Sequence, residues 1–495
     1  MNSNDTQHRS ILRSIAEQAM LERGLLPEFS NEALAEVKHL PESELTNSNI
    51  IARDLRELLW SSIDNNDSRD LDQLTVAEAI SADTVKIFVA IADVDSCVKN
   101  SSAIDKHARH NTTSVYTAAK IFPMLPEKIS TDLTSLNFDK DRLAVVVEIL
   151  VGPDGTLHGS DVYRACVHNH AKLTYENVAA WLENDLPIPE AISVVNGLAE
   201  NLQLQDRTAQ RLRKLRQQQG ALSFETVEAR PVFDGDQISV LERSEKNRAK
   251  EIIEVFMITA NGVTARYLSD KKFPSIRRVV RAPKRWERIV EIAAEHGFNL
   301  PVLPDSKALE QFLVQQKAAD PIRFPDLSLA VIKLLGAGEY VAETPYEESP
   351  SHFGLAVKDY SHSTAPNRRY PDLITQRLLK AAIDGKPAPY HKDDLDVLAA
   401  HCTKAEDAAN KVERQVAKSA AALLLQANIG ERFNAIVTGA SEKGTWVRLL
   451  NVPVEGKLVD GFEGVDVGNQ LRVQLVDVNV KEGFIDFKNL NGSNH

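Results

Sequence analysis

Between Ser62 and Gln73 the chain sets four aspartates within nine residues, Asp64, Asp67, Asp70 and Asp72, with apolar Ile63 and Leu71 among them. In an extended segment alternate side chains share a face, so Asp70 and Asp72 point one way while Leu71 points to a core. The turn formers Asn65, Asn66 and Ser68 can fold Asp64 back toward them. Converging carboxylates repel one another unless a hard cation lies between them. Oxygen-only ligands of this kind suit Mg²⁺ or Mn²⁺, and two such ions ~4 Å apart can activate a water and stabilise both oxygens of an in-line phosphoryl displacement. A solvated acidic turn has the same composition, and spacing by itself leaves both readings open. A calcium-binding loop is excluded, since the run has neither the Gly of the sharp turn nor the closing Glu.

Any polyanionic partner meets an electrostatic obstacle. The 495 residues carry 58 basic and 70 acidic side chains, a formal net charge of -12. A field of that sign repels phosphate polymers unless basic surface is concentrated locally or metal ions intervene. With 43% hydrophobic residues, 22 Gly and 21 Pro, collagen-like, coiled-coil and wholly disordered chains are excluded. The length allows two to four domains at ~100–200 residues each. Cys97, Cys166 and Cys402 are widely spaced and odd in number, which suits neither a disulfide framework nor a zinc site and points to a reducing compartment. Met1 to Arg13 has no apolar signal-peptide stretch, and the longest apolar run, Leu143 to Val151, is interrupted by Glu148. A soluble cytoplasmic protein with no membrane contact is expected.

Periodicity divides the chain into three. Residues 1–48 form a helical leader, with helices over 9–26 and about Asn31 to Lys38, too short for an independent core and expected to pack on the larger unit after it. Residues 49–428 form one α+β unit. It has a hairpin at Leu74–Val76 and Val85–Ile91, a strand at Ala144–Val151, and helices at Tyr175–Leu182, Ser193–Gln218, Arg248–Tyr267 and Ala399–Asn428. Residues 429–495 hold five short strand-like runs separated by glycine-containing turns, the pattern of a five-stranded OB-fold β-barrel.

Four motif groups occur in order: Ile63-Asp64 through Asp72; Val89-Ala90-Ile91-Ala92-Asp93; Phe122-Pro123-Met124-Leu125-Pro126 with Leu133-Thr134-Ser135-Leu136; and Tyr360-Ser361-His362-Ser363-Thr364-Ala365-Pro366-Asn367-Arg368-Arg369-Tyr370-Pro371-Asp372-Leu373. Together they resemble the signature series of the RNase II/RNase R (RNB-domain) exoribonucleases, across about residues 50–428. The terminal module resembles the S1 motif of RNA-binding OB domains. The resemblance implies that Asp64, Asp70 and Asp72 are the metal-binding and catalytic aspartates, holding one or two Mg²⁺ ions, with Mn²⁺ as an alternative. The family's fourth aspartate, directly after Asp72, is Gln73 here, a neutral and poorer ligand; Asp67 is the nearby carboxylate that would replace its charge.

The resemblance also implies the residues that hold RNA. Arg368 would grip the scissile phosphate with a planar fork, while Arg369 and Arg377 are structural or track phosphates. Tyr116 and Phe224 would stack on either side of the terminal base. Tyr175 and Glu254 would read the 2′-hydroxyl, with Val255 where the family often has a second Glu. Glu413 matches another active-site carboxylate. In the terminal module, Phe433 and Trp446 would present a stacking surface, since seven basic against nine acidic residues from Gly430 on offer little net attraction. The segment Lys271 to Arg288, with eight basic residues and one acidic, is the candidate backbone-tracking stripe, or else a solvated face. It would give an acidic exterior a basic channel.

The implied activity is metal-dependent, processive-type 3′→5′ hydrolysis of single-stranded RNA to nucleoside 5′-monophosphates, in RNA degradation. The protein is expected to act as a monomer, with no protein partner inferable. Gln73 keeps open a catalytically weakened RNA-binding protein using the same channel, and so does the expectation that the cold-shock domains usual in the family are absent. A DNA-directed nuclease is disfavoured by the Tyr175 and Glu254 pair.

Overall fold

The structure, a computed structural model, describes residues 8–41, 52–184, 186–226, 228–244, 246–345, 351–465 and 467–490. Parts of the expected leader, 1–7 and 42–48, lie outside them. The expected hairpin forms from Gln73–Ala79 and Val85–Ala92, paired antiparallel with Gln73 opposite Ile91. It stands within a seven-stranded mixed sheet ordered Arg53–Asp54, Leu157–His168, Asp141–Val151, Val85–Ala92, Gln73–Ala79, Ser61–Asp64, Ala171–Thr174. The first and last pairings in that order are parallel, the rest antiparallel. Apart from Lys86, Val85–Ala92 is apolar on both faces because both are covered, and its residues share a core with Ile252 and Phe256 of the helix Arg248–Asp270 and with Leu373 and Leu378 of the helix Tyr370–Ile383.

Beneath the sheet is a buried ion network. Arg377 pairs with Asp95 at 3.0 Å and Asp105 at 2.8 Å, Lys380 with Asp93 at 2.7 Å and Asp95 at 2.9 Å, and Arg164 with Asp93 at 3.1 Å. Asp93, the last residue of the second motif, is thereby committed to the scaffold, and so is Arg377. Arg369 is likewise bound to buried Asp372 at 2.8 Å.

The leader helix His8–Glu22 lays Leu12, Ala16, Ala19 and Met20 on Ala409, Val412, Val416 and Ala420 of the helix Lys392–Leu425. That long helix spans ~51 Å at 1.5 Å per residue, and its far end places Ala421, Ala422 and Leu425 in the core of the terminal barrel. It begins seven residues before the expected Ala399, because His391 and Asp394 form a reciprocal cap at its N-terminus. The helix expected from Ser193 begins at Leu198, after Gly197 with φ +82°; a side chain there would press on Leu59.

The five terminal strands close as expected, in the order Arg432–Ser441, Gly444–Leu449, Glu455–Asp460, Phe484–Asn489, Gln470–Asn479. Val437, Val447, Leu458, Val473 and Phe487 fill the barrel. Gly456 is required by closure: a Cβ there would stand 2.5 Å from the Ile485 carbonyl oxygen. Among the described residues no helix is long and apolar enough to cross a membrane.

The basic segment 271–288 does not form an open stripe. Ser275–Val279 pairs antiparallel with Glu339–Glu343, and carboxylates of that strand and of the helix Lys392–Leu425 partner its arginines. Arg277, 2% exposed, meets Glu343 at 2.7 Å; Arg278 meets Glu406 at 2.5 Å; Arg281 pairs with Glu339. Arg288 is held by Glu291 and Glu295. The charge run therefore serves folding at four of its eight cations.

Candidate active site

Asp64 closes the strand Ser61–Asp64, where parallel pairing sets it opposite Thr174. Tyr175 follows at once and opens the helix Tyr175–Asn184. Its phenol lies in the fields of Asp64 and Arg368; burial foremost, then the Asp64 charge, raises its pKa. Beyond Asp64 the chain turns through exposed Asn65, Asn66 and Asp67. The Asn65 amide and Ser68 Oγ donate to Asp64 Oδ1 at 2.7 and 2.9 Å, and Lys172 Nζ donates to the Ser68 carbonyl at 2.7 Å.

Leu71 points into the core as alternation requires, but Asp72 is buried too, each being 2% exposed. One distant motif segment covers the aspartate. The Asn367 amide donates to Asp72 Oδ1 at 3.0 Å, and Arg368 Nε stands 3.4 Å from Oδ2, which has no hydrogen-bond donor among the described residues. Burial pushes the Asp72 carboxyl up to about 7; Arg368 opposes the shift and the neighbouring Asp70 charge adds to it. Asp70 is half-buried, and burial is also the first cause of its raised pKa. Its Oδ2 accepts from the Tyr116 hydroxyl at 3.3 Å.

Three side chains with no role assigned from sequence build this geometry. Ser135 Oγ accepts from the Leu71 amide and donates to the Arg69 carbonyl, both at 2.9 Å, gripping the chain on either side of Asp70. Thr134 Oγ1 donates to Asn367 Oδ1 at 2.6 Å, holding the residue whose amide reaches Asp72. Ser135 and Asn367 are fully buried and Thr134 nearly so. Their segments were visible as motifs; their contacts span the fold and have no local signal.

Tyr116 reaches Asp70 because its strand end is tied to the Arg368 loop. The Ser114 amide donates to the Arg368 carbonyl at 3.0 Å, and the Tyr370 amide to Thr112 at 2.8 Å. Thr112 takes a left-handed φ of +59° at the end of the helix Ala103–Asn111, a strained conformation for a β-branched residue that frees the chain to make this pairing. Glu413 Oε1 accepts the Tyr116 amide at 2.8 Å, and burial raises its pKa. The Glu413 carboxylate is thus engaged by the protein backbone, behind the tyrosine.

Phe224 and Glu254 occupy a separate neighbourhood, a cavity of about 260 Å³ that also contains Arg213, Arg216 and Lys246. Phe224 lines this cavity and Tyr116 does not; rings that lie on either side of a base do not touch one another. Tyr175 connects the neighbourhoods: it packs in one cluster with Ile253, beside Glu254 on the helix Arg248–Asp270.

In the terminal barrel the expected stacking pair separates. Phe433 lies opposite Val473 and packs edge-on to buried Phe487, ring centroids 6.4 Å apart. Trp446 lies opposite Gly439, six positions further along the neighbouring strand, about 20 Å at the usual rise. Trp446 also alternates with buried Thr445 and Val447, while Phe433 shares the inward parity of Ala435 and Val437. The two strands are adjacent as expected, but the rings do not share the one face expected of a stacking surface.

Among the described residues no three His, Cys, Asp or Glu side chains converge closely enough to cage an ion by themselves. The donor set nonetheless fits a hard cation in kind: carboxylate oxygens at Asp64, Asp70 and Asp72, with Asp72 Oδ2 buried and without a hydrogen bond.

The sequence profile of the RNB domain matches residues 52–385, and that of the RNase II-type exonuclease C-terminal S1 domain matches residues 431–490. Ribonuclease R of Escherichia coli (strain K12) is 32% identical over 470 residues, covering 88% of this chain and 57% of its own length. The chain thus spans little more than half the length of that relative. The structure of Mycoplasma genitalium RNase R in complex with ribose methylated single-stranded RNA is similar with a TM-score of 0.87 over 99% of this chain and 79% of that one, at 22% identity. Yeast Ssd1, a pseudonuclease, is similar with a TM-score of 0.72 over 94% of this chain and 58% of its own, at 15% identity. At those identities the two structures speak to fold, whereas the RNB profile takes in well over half of the sequence: the chain belongs to the RNB-domain family and carries a C-terminal S1 domain of the RNase II type.

Proposed function

We propose that this protein is a 3′→5′ exoribonuclease, hydrolysing single-stranded RNA to nucleoside 5′-monophosphates with Mg²⁺ or Mn²⁺ held by Asp64, Asp70 and Asp72. The observation that carries the reading is the buried Asp72 carboxylate, with one oxygen on the Asn367 amide and the other facing Arg368 without a hydrogen bond. A desolvated carboxylate beside a second one is costly without a cation. When bound, a divalent cation would supply charge for phosphoryl transfer and a more acidic water.

The chain's own residues do the rest. Arg368, 44% exposed in its side chain, offers its fork to the phosphate and meets charge that grows in the transition state. Tyr116, 40% exposed, offers a ring face for a base, steadied by Glu413 behind its amide. Tyr175 and Glu254 face the ribose, where a 2′-hydroxyl can donate to a carboxylate and accept from a phenol. We place this work in the cytoplasm, by a monomer, in RNA degradation.

A second reading has an observation of its own. Gln73 stands where the family has an aspartate, and a protein that binds RNA in the same channel without cutting it would tolerate that change. One experiment separates the two. The protein is incubated with 5′-labelled single-stranded RNA and Mg²⁺ or Mn²⁺, beside Asp72→Asn. A ladder shortening from the 3′ end that vanishes in the variant supports the enzyme; tight binding with intact RNA in both samples supports the binding protein.

A further inference from the structure

We propose that Arg216 receives a backbone phosphate of the RNA strand inside the cavity that Phe224 and Glu254 line. The proposal rests on the RNA-processing reading above and adds to it a residue and a ligand atom. Among the described residues four cations line this cavity: Arg213, Arg216, Lys246 and Lys317. Three are committed to the protein. Arg213 pairs with Glu251 at 2.9 Å, Lys246 Nζ donates to the Phe224 carbonyl at 2.7 Å, and Lys317 pairs with Glu225.

Arg216 differs. Its Nε is buried without a hydrogen-bond partner, and no carboxylate pairs with its guanidinium among the described residues. Burial lowers its pKa, and Glu254 offsets this only as a neighbouring charge, not as a bonded partner. A guanidinium stays protonated in any protein, so the desolvation cost cannot be relieved by losing the proton. It is relieved by an anion. The last turn of the helix Leu198–Gln218, where Arg216 sits, favours a cation through the helix dipole; that accounts for a positive charge, but supplies no acceptor to Nε.

The anion class is set by the neighbours. The Phe224 ring can face a base, the Glu254 carboxylate can accept a 2′-hydroxyl proton, and the Arg216 fork can bind two oxygens of a phosphate. Together they match one ribonucleotide unit, with Arg216 on the group that every nucleotide shares. A strand phosphodiester and a released monophosphate have the same chemistry, and the test must tell them apart.

The test uses metal-free protein in EDTA with a short oligouridylate, which leaves the strand intact. A series of oligonucleotides carries one uncharged methylphosphonate at successive internal linkages. The parent protein should lose affinity sharply at one linkage, and Arg216→Gln should be indifferent there. Arg216→Gln should bind the unmodified strand roughly tenfold more weakly, with a salt dependence shallower by about 0.7 in log K against log salt, the loss of one phosphate contact. Arg216→Lys should keep the slope because it keeps the charge. Single-stranded DNA of the same length should show the same loss with Arg216→Gln, since its phosphates are identical.

A parent profile with no sensitive internal linkage overturns the proposal, as does uridine 5′-monophosphate, rather than the strand, being the ligand that Arg216→Gln weakens. Equal affinity and slope in parent and Arg216→Gln overturn it too. A parent that binds no RNA overturns the functional reading and this proposal with it; a parent that binds RNA with none of these signatures overturns the proposal alone.

Discussion

The backbone amide of Asn367 donates to Oδ1 of Asp72 at 3.0 Å, across 295 positions of sequence. That bond joins the two motif segments of the site: Asp72 precedes a central strand, and Asn367 directly precedes Arg368 in the loop that enters the helix Tyr370–Ile383. Because Thr134 holds the Asn367 side chain while Ser135 holds both flanks of Asp70, two consecutive hydroxyls set the carboxylates relative to the arginine.

Arg368→Lys should lower kcat for RNA cleavage by about a hundredfold or more, because an ammonium cannot present a planar fork to two phosphate oxygens. Stability should be unchanged, as the side chain is 44% exposed. Single-turnover cleavage and a thermal melt on the same samples decide this; a variant within a few fold of wild type removes Arg368 from the chemistry.

Ser135→Ala deprives the Leu71 amide of its acceptor. The cost should be about 1–3 kcal/mol in urea unfolding, accompanied by at least a tenfold fall in kcat as Asp70 loses its alignment. Thr134→Val should lower kcat similarly, and Thr134→Ser, which keeps the hydroxyl, should restore it. If Ser135→Ala lost stability but kept full kcat, the serine would be a scaffold residue only.

Arg448, on the barrel strand Gly444–Leu449, meets Asp326 of the helix Phe324–Leu335 at 3.0 Å, and Asp326 is 4% exposed. Removing the arginine leaves a buried charge without its partner, so Arg448→Met should loosen the barrel from this helix at a cost of a few kcal/mol. Asp326→Asn in the same chain should recover part of it. Limited proteolysis between the barrel and the helix reports the change; equal digestion of all three proteins would show that the pair does not hold the interface.

His352 packs against Tyr360 and accepts the Leu355 amide at Nδ1. Burial, with the Arg278 charge second, depresses its pKa to about 4. Between that value and the unfolded ~6.5 only the unfolded chain binds the proton, so stability is full above pH ~6.5 and falls as pH drops toward 4, by about 2 kcal/mol at pH 5. His352→Asn keeps an acceptor and cannot titrate. The difference between the two proteins in urea unfolding should therefore shrink or reverse from pH 7 to pH 5; parallel pH profiles would show that His352 does not contribute.

Much of the fold was legible in residues because its causes are local. Alternation and glycine turns mark the barrel strands within a few residues of their ends, and the same holds for the hairpin of Gln73–Ala79 with Val85–Ala92. Helix ends were less legible. His391 caps a helix without belonging to the usual capping residues, and Gly197 breaks a pattern that continues on either side of it.

By itself the sequence determined the family, the order of motifs, the aspartate run and the five barrel strands, since each is written in neighbouring residues. Tertiary structure decided what those residues meet. Strand register 66 positions away turned Arg277 from a candidate phosphate ligand into the buried partner of Glu343. Barrel parity set Phe433 inward and Trp446 outward, and packing of the Arg368 loop made Asp72 a buried carboxylate rather than an exposed one. Burial and pairing depend on which surfaces close on one another, and only the folded chain brings those surfaces together.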